Sequence, residues 1–370
     1  MIVGIPKEIK ADENRVALTP GGVEVMCQHG HTVLVEKAAG RASGFGNALY
    51  KQAGAEIVDK SGEIFKRAEM ILRVKEPQPS EFGYLRKGQI YFGYLHLAAS
   101  QTVTQAMVKS GTIGIAYETI QKADGTLPLL TPMSEVAGPM AVQEGAKYLE
   151  MAQGGHGILL GGVPGVNPGT VLIIGGGAVG INAAKMACGL GARVYILDID
   201  LDRLRYLSDV MPGNCVTLMS NPANIREILP KADLVIGAVL VTGSKTPMLV
   251  SRDMLGMMTK GSVMVDVAID QGGCFETSRE TTHAKPTYEV DGIIHYAVSN
   301  MPGALPRTST LALNNSTLPY AVEIADKGWK KAVRENQEIK AGANVVHGKV
   351  TYKGVAEAFG MDHTAVDKLL

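Results

Sequence analysis

Apolar residues recur along this chain in two rhythms. Compact runs rich in Val, Ile, Leu and Tyr stand at 2–5, 32–36, 70–75, 90–96 and 112–118. Their length and β-branched content predict strands buried on both faces. Between them, apolar positions fall at helical spacing over 21–29 and 102–109, the first helix introduced by Thr19 as N-cap and Pro20 in its first turn. Such alternation predicts βαβ units and a mainly parallel sheet.

A longer helix is predicted from 132 to about 151, capped by Thr131 and leading into the glycine-rich connector GGHGILLGGVPGVNPG. Six more strand-like runs follow, at 171–174, 193–198, 216–219, 234–240, 263–269 and 295–299. Six strands separated by helical patterns are what a complete doubly wound α/β domain requires. The Pro- and Gly-rich stretch NMPGALPRT closes this second unit, and the remainder is helical in pattern, notably over 318–334, with no further sheet expected. That tail has too little core to stand alone and is expected to pack on the first domain. The predicted division is 1–130 plus 308–370 as one α/β domain and 131–307 as the other, so the chain crosses between them twice.

Composition narrows the class of protein. A chain of 370 residues, 46% hydrophobic and 19% charged, has enough apolar material for two cores. Lys plus Arg and Asp plus Glu balance at 36 each, so no global field draws nucleic acid or an anionic membrane, and small-molecule partners are expected. Cys27, Cys188, Cys215 and Cys274 are scattered without a C-x-x-C pair or zinc spacing, which suits reduced cytoplasmic thiols and no metal. Residues 151–184 carry no charge and are long enough to span a bilayer, but their glycines, Pro164 and Pro168 break the segment, so membrane insertion is not expected. The opening MIVGIPKEIK lacks the features of a secretory signal.

The strongest local motif is VLIIGGGAVG, which places Gly175, Gly177 and Gly180 in G-x-G-x-x-G spacing after an apolar strand and before a helical pattern. The first Gly makes the tight turn, the second admits a pyrophosphate to the backbone, and the third lets helix pack on strand, with the helix N-terminus facing the anion. The next strand, RVYILDID, ends at Asp198, an acid placed to accept hydrogen bonds from an adenosine ribose. Its charge favours NAD over NADP, because a 2′-phosphate would meet a carboxylate. Asp200 competes for that role, and one of the two acids is expected to be solvated. The domain 131–307 is therefore expected to be a Rossmann-type NAD-binding domain.

A nicotinamide cofactor carries hydride, leaving orientation and proton transfer to the protein. Those groups should lie beyond the carboxyl ends of strands. Lys75 ends MILRVK, His96 ends YFGYLH, Asp270 ends VMVDVAID, and Arg15 lies in the loop after the first strand, in ENRVALTP. Each has a plainer reading: a solvated cation for Lys75 or Arg15, a turn cap for Asp270, a packing residue for His96. Together, cations and a titratable imidazole suit a small carboxylate substrate losing hydride and proton. The small Ala98 and Ala99 beside His96 leave room for such a substrate.

These segments resemble a known family, the alanine dehydrogenases together with the NAD-binding subunit of proton-translocating transhydrogenase. The resemblance runs through GIPKEIKADENRVALTP, RVKEP, GYLHLAA, LIIGGGAVG, DVAIDQGG and VSNMPGALPRTST, with no departure at the catalytic positions. It implies reversible NAD-dependent oxidative deamination of L-alanine to pyruvate and ammonia by a two-domain subunit of a homohexamer. It further implies that Arg15 and Lys75 bind substrate, that Lys75 also serves catalysis, that His96 is the general acid and base, and that Asp270 assists. Cofactor contacts carried over by resemblance are Ser134, Ala178, Val179, Arg203, Ser220, Val239, Leu240, Val267, Ala268, Ile269, Asp270, Arg279, Val298, Ser299, Asn300 and Met301. Two other readings compete: a hydride-transfer subunit of a transhydrogenase, which needs no amino-acid pocket, and a saccharopine-type dehydrogenase acting on a bulkier amino acid.

Overall fold

A computed structural model describes residues 1–239 and 246–370. It divides into two compact units, one comprising Met1–Met133 with Gly303–Leu370 and the other Ser134–Pro302.

The first unit opens with β1 (Ile2–Ile5), β2 (Thr32–Glu36), β3 (Glu56–Val58), β4 (Met70–Leu72), β5 (Ile90–Gly93) and β6 (Ile113–Ala116). The second contains β7 (Thr170–Ile174), β8 (Arg193–Asp198), β9 (Cys215–Met219), β10 (Leu234–Gly237), β11 (Val263–Asp266), β12 (Thr287–Val290) and β13 (Ile293–Tyr296). The chain then returns to the first unit with β14 (Ala343–Val346) and β15 (Lys349–Val350).

The first sheet has the order β15-β14-β6-β5-β4-β1-β2-β3. Its strands β1 to β6 pair in parallel, in registers such as Ile5 with Val35 and Phe92 with Ile115. One buried core under it joins Ile64, Phe65, Ile71, Tyr91, Leu95 and Met107. The first helix, Pro20–Gln28, begins as its sequence predicts: Thr19 is extended and its hydroxyl accepts from Gly22 N at 3.1 Å.

The expectation of no sheet after residue 308 is wrong. β14 pairs antiparallel with β6, with a bulge between Ala343 and Val345, and with β15. A four-residue apolar run after a helix carries too little periodicity to separate strand from helix; the unpaired edge of β6 decides it. Two edge strands are also absent from the expectation: β3, only three residues long, and β12, whose residues are mostly half-buried and carry no apolar run. The predicted cap Thr131 instead lies inside its helix, Thr131–Tyr148, and its hydroxyl donates to Leu127 O at 3.0 Å.

In the second unit the order is β12-β13-β11-β10-β7-β8-β9, and only the edge strand β12 is antiparallel. The six parallel strands reproduce the doubly wound dinucleotide-binding arrangement, reversing between β7 and β10. Their core includes Leu172, Ile174, Leu197, Val235, Met264 and Phe275. Among the described residues no helix is long and apolar enough to cross a membrane.

Candidate active site

Strand order in the first unit reverses at β1: β2 and β3 continue to one side, while β4, β5 and β6 build outward on the other. Loops leaving the carboxyl ends of β1 and β4 therefore flank a switch point, where open α/β sheets bind ligands. Arg15 lies in the first of these loops and Lys75 in the second, with His96 following β5.

None of Lys75, His96 and Asp270 is the last residue of a strand, as the sequence suggested. β4 stops at Leu72, β5 at Gly93 and β11 at Asp266. The apolar runs continue because Val74, Tyr94 and Leu95 are buried, and Tyr94 N still donates to Val74 O at 3.1 Å beyond the strand ends. Gly93 marks the change: a Cβ there would come within 2.6 Å of Arg73 O.

Buried ions hold these loops. Arg73, wholly inaccessible, donates from Nε to Glu8 Oε1 at 3.0 Å and from Nη1 to Glu81 Oε1 at 2.6 Å, and Glu8 also accepts from Val74 N at 2.7 Å. The β1 and β4 loops are thereby tied to one guanidinium. Arg15 is also buried, and its fork engages Glu13, Nε at 2.7 Å from Oε1 and Nη2 at 2.5 Å from Oε2, with Nη1 3.0 Å from Met133 Sδ. Burial would raise the Glu13 pKa, but the charge and hydrogen bonds of Arg15, then the charge of Lys75, lower it to about 2.

Lys75 is buried, and among the described residues no carboxylate lies within ion-pair distance of its ammonium. Its pKa is lowered, first by burial and then by the charge of Arg15. A desolvated ammonium beside a guanidinium favours an incoming carboxylate. On one side of Arg15 a cavity of about 400 Å³ is lined by Lys7, Glu8, Glu13, Asn14 and Arg41; neither Lys75 nor His96 lines it.

His96 sits in the left-handed region, φ 47° and ψ 37°, and introduces the short turn Leu97–Ala99. A non-glycine residue there costs about 1–3 kcal/mol and marks a conformation imposed by its surroundings. The imidazole is exposed and lies over the Tyr94 ring, centroids 6.0 Å apart and planes 21° apart. Its pKa is lowered, mainly because the surrounding protein desolvates it and secondarily by Lys75, while Glu118 and Glu76 pull it upward.

The second unit is built differently. Gly175 has φ 107°, and a Cβ would meet Ala238 O at 2.7 Å; one on Gly180 would meet Gly175 O at 1.8 Å. Gly177 instead faces open space at the start of the helix Ala178–Gly189, so the backbone there is open to a pyrophosphate. These residues fit a dinucleotide cradle. Asp198 accepts from Gly176 N at 2.7 Å and from Asp200 N at 2.9 Å, holding its carboxylate against the glycine loop. Asp200 is the N-cap of the helix Leu201–Val210, accepting from Asp202 N at 2.9 Å, which separates the two acids the sequence left in competition.

Most of the positions expected to contact the cofactor follow the carboxyl ends of this sheet's strands. Gly175, Gly177, Ala178, Val179 and Gly180 follow β7, Asp198 ends β8, Ser220 follows β9, and Val239 follows β10. Val267, Ala268, Ile269 and Asp270 follow β11, and Val298, Ser299, Asn300 and Met301 follow β13. Arg203 donates to Gly176 O at 2.6 Å, and Arg279 lies over the Tyr288 ring, two residues before Thr281, which bridges Val298 just after β13. Ser134 stands on the helix Thr131–Tyr148. Leu240 lies outside the described residues. Asp270 is exposed in the turn Ile269–Gln271.

Three carboxylates were missed by the sequence reading. Glu13 clamps Arg15, and Glu118 accepts from His96 N at 2.6 Å. Asp266 accepts from Ala268 N at 3.1 Å and Cys274 N at 2.8 Å, fastening both ends of the turn that carries Asp270. Asp266 had a legible signal, an acid inside the apolar run VMVDVAID. Among the described residues no group of His, Cys, Asp and Glu could hold a metal ion.

The family model for the alanine dehydrogenase/PNT N-terminal domain matches residues 4–137, and that for the C-terminal domain matches residues 141–353. The chain is 56% identical to an alanine dehydrogenase of Methanococcus maripaludis over the full length of both. Among solved structures, an L-alanine dehydrogenase aligns with a TM-score of 0.95 and 49% identity, covering 97% of this chain and 99% of that one. A transhydrogenase from Sinorhizobium meliloti aligns with a TM-score of 0.83 at 24% identity, covering 95% of this chain and all of that one, a likeness of fold.

Proposed function

The chain belongs to the alanine dehydrogenase/PNT family, and we propose that it catalyses the reversible NAD-dependent oxidative deamination of L-alanine to pyruvate and ammonia. The observation that carries this reading is the buried Lys75 beside Arg15, without a carboxylate partner among the described residues and within electrostatic reach of His96. A coupling subunit that passes hydride between dinucleotides has no use for such a carboxylate site. The 56% identity to an alanine dehydrogenase, against 24% to the transhydrogenase structure, favours the same choice.

Bound NAD supplies the hydride acceptor, through residues that fit it: the glycine loop from Gly175 to Gly180 for the pyrophosphate and Asp198 for the adenosine ribose. Lys75 binds the substrate carboxylate and, with Arg15, opposes its charge in a desolvated setting. Loss of hydride from the alanine α-carbon leaves an iminium carbon open to water. His96, exposed and with its pKa lowered, is unprotonated at neutral pH and takes the proton of that water, then returns one to the departing amine. By the family resemblance, Asp270 is a second, assisting catalytic residue. We further propose a cytoplasmic homohexamer, supported by the family resemblance and by a fold without a membrane-spanning helix among the described residues.

Purified protein given L-alanine and NAD should generate NADH, with little turnover of bulky amino acids. Hydride exchange between two dinucleotides without any amino acid would overturn this reading in favour of the coupling subunit. Activity with bulky substrates alone would overturn it in favour of a saccharopine-type enzyme. Light scattering checks the six-subunit assembly.

A further inference from the structure

We propose that Glu118 is the residue that positions His96 for proton transfer, and that its negative charge sets the pH range over which His96 works. The inference rests on the reading of His96 as general acid and base.

The geometry begins with strand register. β5 and β6 are parallel, and Gly93 pairs with Ala116 at their carboxyl ends. Two residues beyond each partner, the chains carry Leu95 and Glu118 at the same level. β6 gives way to the short turn Tyr117–Thr119, which aims the Glu118 carboxylate back across the gap. Both of its oxygens lie 3.2 Å from Leu95 N, and Oε1 lies 2.6 Å from His96 N. A single carboxylate therefore receives two successive backbone N–H groups where His96 turns into the left-handed region at φ 47°. Charge-assisted bonds of this kind are the strong ones, and a conformation disfavoured for a side-chain-bearing residue needs such an anchor.

The turn is itself held. Thr119 Oγ1 accepts from Asn344 Nδ2 at 2.8 Å, so the returning strand β14 braces the element carrying Glu118. On the other face Tyr94 lies against the imidazole. A fixed backbone and a neighbouring ring narrow the orientations open to the imidazole, which favours general acid–base catalysis.

Glu118 also acts through space. The charged groups facing His96 within the first unit are Glu118, Lys75, Glu76 and Lys10; the two carboxylates favour the imidazolium, the two lysines oppose it, and Glu118 has the largest influence of the four. Desolvation lowers the His96 pKa and Glu118 partly restores it, so removing the charge must lower it further.

Two variants separate positioning from charge. Glu118→Gln keeps an oxygen acceptor for the backbone N–H groups and removes the charge; Glu118→Ala removes both. NMR titration of the His96 imidazole should show its pKa displaced to lower pH in Glu118→Gln, with the matching limb of the pH–kcat/KM profile displaced the same way. Glu118→Ala should retain NAD affinity and lose about 10- to 100-fold in kcat, with Glu118→Gln losing less. Coincident His96 titrations in wild type and Glu118→Gln, or wild-type kcat in Glu118→Ala, overturn the proposal. If the NMR titration moves while the rate profile stays fixed, Glu118 is coupled to His96 as proposed and the role of His96 as acid and base is what fails. A loss of thermal stability with both pH profiles unmoved marks Glu118 as purely structural and overturns the proposal.

Discussion

The carboxyl edges of the two sheets are equipped by opposite means. In the first unit the loops are held by ions: buried Arg73 between Glu8 and Glu81, buried Arg15 in the grip of Glu13, and half-buried Glu118 on the backbone of His96. In the second unit the corresponding loops are mostly glycine and backbone, with Asp198 and Asp266 accepting from main-chain N–H groups. The two chemistries explain the contrast. A small carboxylate offers little contact area, so cations must be fixed and desolvated before it arrives, and only a compensated network tolerates that burial. A dinucleotide is long, and its pyrophosphate is met by N–H groups on a backbone that has no Cβ in the way.

If the first edge depends on buried ions, breaking one should be costly. Arg73→Ala leaves Glu8 and Glu81 buried without their partner, and a loss of about 3–5 kcal/mol is expected. The sole tryptophan, Trp329, lies in the first unit and reports its unfolding by fluorescence. An unchanged denaturation midpoint would show that this network does not hold the loops.

Glu13 gives the comparison a pH dependence. Its folded pKa of about 2 lies below the ordinary 4.5, so its contribution is complete above pH 4.5 and is lost as pH falls through about 2. The difference corresponds to about 3 kcal/mol. The stability gap between wild type and Glu13→Gln should therefore shrink from pH 5 toward pH 2 in the Trp329 signal. A constant gap would mean that Arg15 does not hold Glu13 ionised.

The sharpest functional separation is His96→Ala. Turnover should fall on the order of 10²-fold or more, while NAD affinity, a property of the second unit, stays the same. Normal turnover would return His96 to the role of a packing residue.

Smaller effects are expected at the second edge. Asp198→Ala should weaken NAD use and admit NADP, shifting the preference by about 10-fold, because a ribose acceptor and a repelling charge are both removed. Asp200→Ala, the loss of a helix cap, should cost about 1 kcal/mol of stability and leave cofactor preference alone. If Asp200→Ala alters the preference and Asp198→Ala does not, the two acids have been assigned the wrong way round.

Legibility in the sequence followed the same divide. The glycine loop, its strand, its helix and Asp198 were readable because a nucleotide loop is local: turn, cradle and helix start all fall between Gly175 and Gly180. Arg15, Lys75 and His96 were readable as residue types after apolar runs, but the runs overstated the strands, since Tyr94 and Leu95 are apolar to fill the core beyond the last ladder pair. Glu13 and Glu118 carried no signal, because an acid beside an arginine or at the end of an apolar run is ordinarily solvated.

By itself, then, the amino-acid order determined the alternation of strand and helix, the doubly wound second unit and the glycine loop after β7, and it named the candidate side chains. These depend on neighbours a few residues apart, through apolar periodicity and turn chemistry. Only the tertiary structure decided that β14 returns to complete the first sheet beside β6, that Asp200 is a cap while Asp198 faces the glycine loop, and that Glu118 holds the backbone of His96. Each of these joins residues through packing, register or a buried charge seeking a partner, and such pairings exist only once the chain has closed on itself.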